Sequence, residues 1–409
     1  MINALRGMKD ILSPENIKYI YFIENASAIA KNYGFEYIET PILEETALFK
    51  RSVGESSDIV GKEMYEFIDK GGNNVCLRPE GTAGVVRCFV QHKFDRISNV
   101  KRYYYYGPMF RYERPQKGRL REFHQFGVEC FGEDSPYEDI NIILLLKDIL
   151  DFFGIEYTLK INTLGCQKCL PPFRQNLVKF LIDIEDGLCD DCKRRIKTNP
   201  IRVFDCKNKQ CQQLLKEAPR LNLALCSECE DSFEFVRKKL DDLDIKYEVD
   251  NNLVRGLDYY TKTAFEFVST ALGAQNAVAG GGRYDRLVEF LDGKPTSGIG
   301  FAIGVERVLE LINMPQKQKD GFYFGAMDEK ALFLVYRLAY IYRKNHKTEV
   351  SYHKKSLKAH LKAADKKDVK FCVVIGENEL KTNMVWIKDL VKKEEYLIEL
   401  EKFESGWNG

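Results

Sequence analysis

Seven basic side chains crowd into positions 101–122: Lys101, Arg102, Arg111, Arg114, Lys117, Arg119 and Arg121, against only Glu113 and Glu122. Arginine forks grip phosphate oxygens bidentately, so this concentration suits a polyanion. A basic hairpin with a solvated loop has the same composition, and these residues alone leave both readings open. A second concentration is sulfur: eight of the twelve cysteines fall between positions 166 and 229. They come in pairs, Cys166-x-x-Cys169, Cys189-x-x-Cys192, Cys206-x4-Cys211 and Cys226-x-x-Cys229. The first two pairs are separated by 19 residues, a zinc-ribbon-like spacing, and the last two by 14, also compatible with zinc. One or two four-cysteine structural sites are therefore expected, with reduced, packed thiols as the rival, and no part in catalysis in either case. Two other patterns fail. GIGFAIG (298–304) has G-x-G-x-x-x-G spacing and no preceding strand suited to a dinucleotide fold, and no P-loop string occurs. Glycine there is read as allowing a strand and a helix to approach, with Arg307 emerging on the helix.

The elements that must position these groups are legible in outline. Residues 13–34 have Tyr19, Phe22, Ala26, Ile29 and Tyr33 at helical spacing, with Ser13 as cap, Pro14 in the first position and Gly34 as stop. FEYIETPIL (35–43) alternates like a strand, and its Pro41 belongs at an edge or interface. LRPEGTAGVVRCFVQ (77–91) reads as strand, turn and helix. Strands are expected at 103–110 and 122–131 around a polar loop, and a buried helix at 140–153. The cysteine segment, 165–232, reads as charged and irregular. Strand patterns return at 246–250, 264–269 and 277–279, and 298–312 runs from glycine-rich into helix. A polar linker at 313–321 precedes alternating strands and helices to the end, an α/β unit.

Composition sets limits. Over 409 residues, 62 basic side chains meet 61 acidic ones for a net charge of +1, which excludes a uniformly basic nucleic-acid coat. The charge is unevenly shared: residues 321–409 hold 17 basic and 13 acidic side chains. Lys354, Lys358, Lys362, Lys366 and Lys370 recur every fourth position there, one stripe if helical. The start MINALRGMKDILSP lacks the apolar core of a signal peptide, and no run approaches a membrane span. A reduced, cytoplasmic protein with free thiols is expected.

FEYIETPIL with Pro41, FRYERPQKGRLREFHQFGVE (110–129) and GIGFAIGVERV (298–308) together resemble the three sequence motifs of class II aminoacyl-tRNA synthetases. LVRGLDYYT (253–261) and AGGGRYD (279–285) resemble the two signatures that set the histidyl-tRNA synthetase family apart, and RPEGTAG (78–84), GLCDDCKRRIKTNPIRVFDCK (187–207) and SLKAHLKAADK (356–366) fit the same family in the same order.

That resemblance implies an α+β catalytic domain over 1–320, an antiparallel sheet flanked by helices. A cysteine-bearing helical or irregular insertion at 165–240 interrupts it, and an α/β anticodon-binding domain occupies 321–409. It implies histidine–tRNA ligation from ATP with Mg2+, L-histidine and histidine tRNA, in a homodimer paired through the Pro41 segment. For residues it implies that Arg111 and Arg255 are catalytic, beside the α-phosphate. Arg111, Glu113, Arg119 and Arg307 would hold ATP. Glu80, Gly81, Thr82, Arg111, Gln125, Glu129, Arg255, Tyr259, Tyr260 and Tyr284 would form the histidine pocket, with Glu129 and Tyr260 meeting the two imidazole nitrogens. Gln116, Lys117 and Arg121 would meet the tRNA acceptor end. The family does not generally require zinc, so the eight cysteines stay open between metal and thiol. Physical sense agrees at Glu129, a lone carboxylate in an apolar strand that is costly unless paired. His124 is read as a supporting residue. The rival is a non-catalytic synthetase-like paralogue, such as the regulatory subunit of ATP phosphoribosyltransferase, which lacks the C-terminal domain and erodes both signatures.

Overall fold

The computed structural model describes the chain except residues 1, 55–56, 58, 98–99, 117, 256, 258, 274–275, 315–317 and 408–409. The chain divides into two compact units, Met1–Asn313 and Met314–Gly409.

The first unit is built on an eight-stranded sheet. Its order is Glu36–Tyr37, Lys101–Phe110, Glu122–Phe131, Gly298–Gly304, Ala277–Arg283, Thr261–Val268, Thr158–Thr163 and Glu248–Val249. The two outermost pairings are parallel and every interior one is antiparallel. Strand alternation sorts the four consecutive tyrosines onto opposite faces. Tyr103 and Tyr105 pack with Val85, Val86 and Phe89 of the helix Thr82–Gln91. Tyr104 stacks on Phe126 and Tyr106 on His124, where Phe22 and Tyr19 of the helix Glu15–Asn32 meet the same rings. The helix Pro136–Phe152 is capped by the Ser135 hydroxyl and buries one long apolar face, including Ile142, Ile143, Leu145, Leu146, Ile149 and Leu150. Arg283, 1% exposed, binds that helix through Asp139.

Several elements differ from the sequence-based expectation. The first helix begins at Glu15, and Ser13 makes no side-chain cap. The 35–43 segment is two short strands, Glu36–Tyr37 and Leu43–Glu45, in different sheets, because Pro41 cannot donate to a ladder. GIGFAIG is wholly strand, with the helix starting at Val305. The cysteine segment is ordered, with helices Leu170–Asp183, Asp190–Thr198, Lys209–Leu214 and Ser227–Asp242 around one core.

The second unit is a five-stranded sheet ordered Thr348–Val350, Phe322–Ala326, Phe371–Ile375, Met384–Asp389 and Glu395–Glu399, the last strand not anticipated. Buried His360 ties the helix Leu357–Lys366 to it: its Nε2 reaches the Ala326 carbonyl at 2.9 Å, which requires a proton there, so Nδ1 accepts from the Tyr323 hydroxyl at 3.0 Å. Of the lysine stripe only Lys358, Lys362 and Lys366 lie on that helix; Lys354 precedes it, and Lys370 sits over the Phe371 ring.

Candidate active site

The Gly298–Gly304 strand explains where the site can be. Its odd-numbered residues Ile299, Phe301 and Ile303 are buried in the core. The even positions, Gly298, Gly300, Ala302 and Gly304, are small and clear the opposite face. A Cβ on Gly300 would stand 2.1 Å from Glu129 Oε2, and one on Gly298 would stand 2.3 Å from the Tyr284 ring. On the next strand a Cβ at Gly280 would lie 2.4 Å from Arg255 Nη1. These glycines make room for polar side chains, which corrects the strand-to-helix reading.

The cleared face opens into a cavity of about 390 Å³. Glu80, Thr82, Arg111, Glu113, Arg119, Gln125, Arg255, Tyr259, Tyr260 and Arg307 all line it, drawn from segments more than 200 positions apart. Gly81, Glu129 and Tyr284 stand directly behind them. Gly81 donates its amide to Gln125 Oε1 at 3.1 Å. Glu129 is 1% exposed and accepts from the Thr82 hydroxyl at 2.7 Å and from the Tyr284 hydroxyl. Burial pushes its carboxyl up to about 8, against those hydrogen bonds. Glu80, equally enclosed, is also raised by burial, and accepts from the Ala83 amide at 2.8 Å and the Tyr259 hydroxyl at 3.3 Å. This end of the cavity is a buried, neutral-leaning hydrogen-bonding wall.

The other end is cationic. Arg111 donates to the Pro79 carbonyl at 2.9 Å and lies over the Phe123 ring. Arg307 donates to the carbonyls of Gly118 at 3.2 Å and Ala277 at 2.8 Å. Arg119 pairs with Glu113 at 2.9 Å. Burial, then the charges of Arg119 and Arg111, pull the Arg307 guanidinium below its ordinary value. Three guanidiniums that repel one another in a half-enclosed space have the chemistry to suit an anion. Between the two ends, Arg255 donates to Glu266 Oε1 at 3.0 Å and faces the Tyr260 ring, while its Nε is buried with no hydrogen-bond partner among the described residues.

Gln116 and Arg121 do not line the cavity. Gln116 pairs back onto Arg119 through the backbone, and Arg121 stacks on Tyr112 at 3.9 Å while donating to the Glu113 carbonyl. Lys117 lies outside the described residues. His124 is on the other face of its strand, held by Glu306: the Glu306 carboxylate accepts from the His124 amide at 3.0 Å and approaches Nδ1 at 2.9 Å.

Three acidic wall residues escaped sequence reasoning: Glu266, Asp205 and Glu306. Glu266 carried a signal, an acid in the otherwise apolar stretch AFEFV opposite a signature arginine. Asp205 carried none, since nothing local says the insertion folds back onto the pocket.

The cysteines also regroup. The sulfurs that converge are Cys166, Cys169, Cys226 and Cys229, and separately Cys189, Cys192, Cys206 and Cys211. The zinc-ribbon-like set of adjacent pairs, Cys166, Cys169, Cys189 and Cys192, does not form.

An antiparallel sheet with one face cleared for converging arginines, in a chain that also carries a separate C-terminal α/β unit, has the architecture of a class II aminoacyl-tRNA synthetase. The model for "Histidyl-tRNA synthetase" matches residues 7–170 and 202–308, and that for "Anticodon binding domain" matches 314–406. A "Histidine--tRNA ligase" of a Nitratiruptor species is 62% identical over 402 residues, 98% of this chain and 99% of that protein. The "Histidine--tRNA ligase" of Sulfurimonas denitrificans is 59% identical over 98% of this chain and 100% of its own. Among solved structures, the apo histidyl-tRNA synthetase of S. aureus superposes with a TM-score of 0.83 at 35% identity, with 99% of both chains matched. The chain belongs to the histidyl-tRNA synthetase family.

Proposed function

We propose that this protein is a histidine–tRNA ligase. The observation that carries the reading is one cavity with a buried carboxylate wall at one end, three guanidiniums at the other and Arg255 between them. ATP enters as its magnesium complex, its phosphates against Arg111, Arg119 and Arg307. Histidine lies against Glu80, Gln125, Glu129 and Tyr260, with its imidazole toward Glu129. The carboxylate of histidine is ionised near neutral pH and needs no general base. It attacks the α-phosphorus, the bond to the bridging oxygen breaks, and pyrophosphate leaves with histidyl-adenylate formed. Arg255 and Arg111 stabilise the charge that builds on the α-phosphoryl oxygens, a fixed-charge role that works best in an enclosed site. A ribose hydroxyl of the tRNA's terminal adenosine then attacks the acyl carbon, and AMP leaves.

Specificity rests on polarity. A wall built to hydrogen-bond imidazole leaves its own buried groups unpaired when an analogue lacks the matching nitrogen. The loop carrying Gln116, Lys117 and Arg121 is assigned to the acceptor end of tRNA, and the C-terminal unit to the anticodon. A homodimer through the Pro41 segment is supported by the exposed apolar side chains Tyr37, Ile42 and Leu43 around it. A cytoplasmic location is consistent with twelve cysteines outside any disulfide, and no helix among the described residues is long and apolar enough to cross a membrane.

The decisive experiment is ATP–pyrophosphate exchange across a panel of amino acids, followed by charging of histidine tRNA. Exchange with histidine alone is expected. No exchange with any amino acid would instead favour the regulatory paralogue. The C-terminal match and the Arg255 and Tyr284 signatures, both at the cavity, argue against that rival.

A further inference from the structure

The two cysteine groups are nested along the chain: Cys166, Cys169, Cys226 and Cys229 enclose Cys189, Cys192, Cys206 and Cys211. Within each group the four sulfurs lie within 4.8 Å of one another. Individual separations are 3.7 Å for Cys166 and Cys169, 3.8 Å for Cys166 and Cys226, and 3.7 Å for Cys189 and Cys206. Sulfurs in a disulfide stand about 2.05 Å apart, so these are not bonded pairs. Four thiolates about 2.3 Å from a central zinc form a tetrahedron with edges of about 3.8 Å. The separations match those edges, and the space they enclose suits one ion and excludes a multi-iron cluster. Backbone amides also point at sulfur: Lys168 at Cys166, 3.3 Å; Cys226 at Cys169, 3.2 Å; Cys189 at Cys211, 3.2 Å. Donors aimed at sulfur are what a metal-bound thiolate needs.

The fold of the insertion gives the ions a purpose. Its core contains fourteen buried side chains, of which five are cysteine, and the helices beside the inner group have only nine and six residues. So small a module seldom holds its shape by apolar burial alone. The outer group sits at its neck, where the Lys262 amide of the catalytic sheet donates to the Gly165 carbonyl and the Leu164 amide donates to the Lys262 carbonyl. The inner group sits against the cavity: Cys206 follows Asp205, which lines the cavity with Arg255. Asn199, Ile201 and Arg202, just upstream, share an adjoining recess with Arg255 and Tyr260.

We propose that the insertion binds two zinc ions, one in each four-cysteine group, and that the inner ion positions the Asp205 wall of the catalytic cavity. The metal assignment stands apart from the ligase reading; the positioning role rests on it. Asp205 is here a positioning residue: it pairs with Arg202 at 3.8 Å, and Arg202 shares its recess with Tyr260, which the ligase reading sets against histidine.

The test is the metal content of the full chain, purified under reducing conditions without chelator. Two zinc ions per chain are expected, and cobalt-grown protein should show tetrahedral cobalt–thiolate absorption at two equivalents. Cys211→Ser and Cys229→Ser should each keep one zinc. In Cys211→Ser the KM for histidine in pyrophosphate exchange should rise about tenfold or more, with kcat changed less, since small misplacements near a reacting centre are costly. Iron, or fewer than two zinc ions in the unaltered chain, overturns the metal assignment whether or not histidine is activated. Asp205→Asn covers the case in which Cys211→Ser does not fold: it should keep both zinc ions and raise the histidine KM. An unchanged KM with both ions retained overturns the positioning role.

Discussion

The Thr82 hydroxyl donates to Glu129 Oε1 at 2.7 Å, joining the first turn of one helix to a carboxylate on a central strand. With Tyr284 on the other oxygen, Glu129 cannot swing away from the cavity. Its orientation is therefore set before any ligand arrives, the arrangement that saves ordering cost on binding. Glu129→Ala should raise the KM for histidine about a hundredfold, on the scale of lost buried hydrogen bonds to a substrate, and the KM for ATP by much less. Pyrophosphate exchange kinetics with each substrate varied in turn measure both. Equal changes in the two would contradict the assignment.

The same carboxyl makes a stability prediction whose sign is opposite to that of a salt-bridged acid. Its folded value, about 8, lies above the ordinary 4.5, so the native state binds more protons than the unfolded chain between those limits. Stability is thus lost as pH rises from about 4.5 to about 8, on the order of a few kcal/mol. Glu129→Gln removes the titration while keeping the shape. Its melting temperature relative to the unaltered protein should climb as pH goes from 5 to 8.5. A constant difference across that range would show that Glu129 titrates normally.

Gly280 offers a way to disturb Arg255 without touching it. A Cβ there would fall 2.4 Å from Arg255 Nη1. Gly280→Ala should lower kcat for adenylate formation toward the level of Arg255→Ala, a loss of about 10²–10³ for a misplaced charge-stabilising donor. The double variant Gly280→Ala with Arg255→Ala should be little worse than Arg255→Ala alone, since both act through one group. Additive losses in single-turnover kinetics would place the effect of Gly280 elsewhere.

The sheet was readable only in part. The long strands at 103–110 and 122–131 followed from their apolar, aromatic runs, whereas Thr158–Thr163 was not anticipated, and in Gly298–Gly304 the glycines hid the period-two alternation of small residues with Ile299, Phe301 and Ile303. Most of the cavity-lining residues followed from motif strings. What could not be read was pairing across distance. Cys166 has a hydrogen-bonding neighbour in Cys226, sixty positions away, whereas local spacing favoured Cys189. Asp205 reaches the cavity only because the insertion turns back, a tertiary fact with no local signature. Pro41 likewise split a pattern that alternation alone had joined.

The guanidinium cluster predicts how the protein responds to its nucleotide. Arg307 is held below its ordinary value by burial and by the charges of Arg119 and Arg111, so crowding these guanidiniums together carries an electrostatic cost. A polyphosphate relieves it. Magnesium–ATP without histidine should raise the melting temperature, following RT ln(1 + [L]/Kd). In Arg307→Ala the rise should shrink, and raising ionic strength should weaken the effect in the unaltered protein. Equal stabilisation of both proteins in thermal melts would remove Arg307 from the phosphate site.

Arg283 lies in a signature string but does not line the cavity. It is 1% exposed, donates to Asp139 at 2.7 Å, to the Glu133 and Ser135 carbonyls at 3.0 and 2.7 Å, and to the Ser297 hydroxyl at 2.7 Å. One guanidinium thus ties the Ala277–Arg283 strand to the start of the helix Pro136–Phe152, directly beside Tyr284. Its role is to fix the strand end from which Tyr284 reaches Glu129. Asp139→Ala removes the nearer of that buried charge's two acidic partners, leaving Asp285 at 3.7 Å, and should cost about 3 kcal/mol of stability, read from denaturant unfolding. A catalytic arginine would instead lose kcat without losing stability. At a temperature where Asp139→Ala remains folded, kcat should stay near that of the unaltered protein, and the histidine KM should rise modestly as Tyr284 loosens. A large fall in kcat with unchanged stability would reverse the assignment and make Arg283 part of the chemistry.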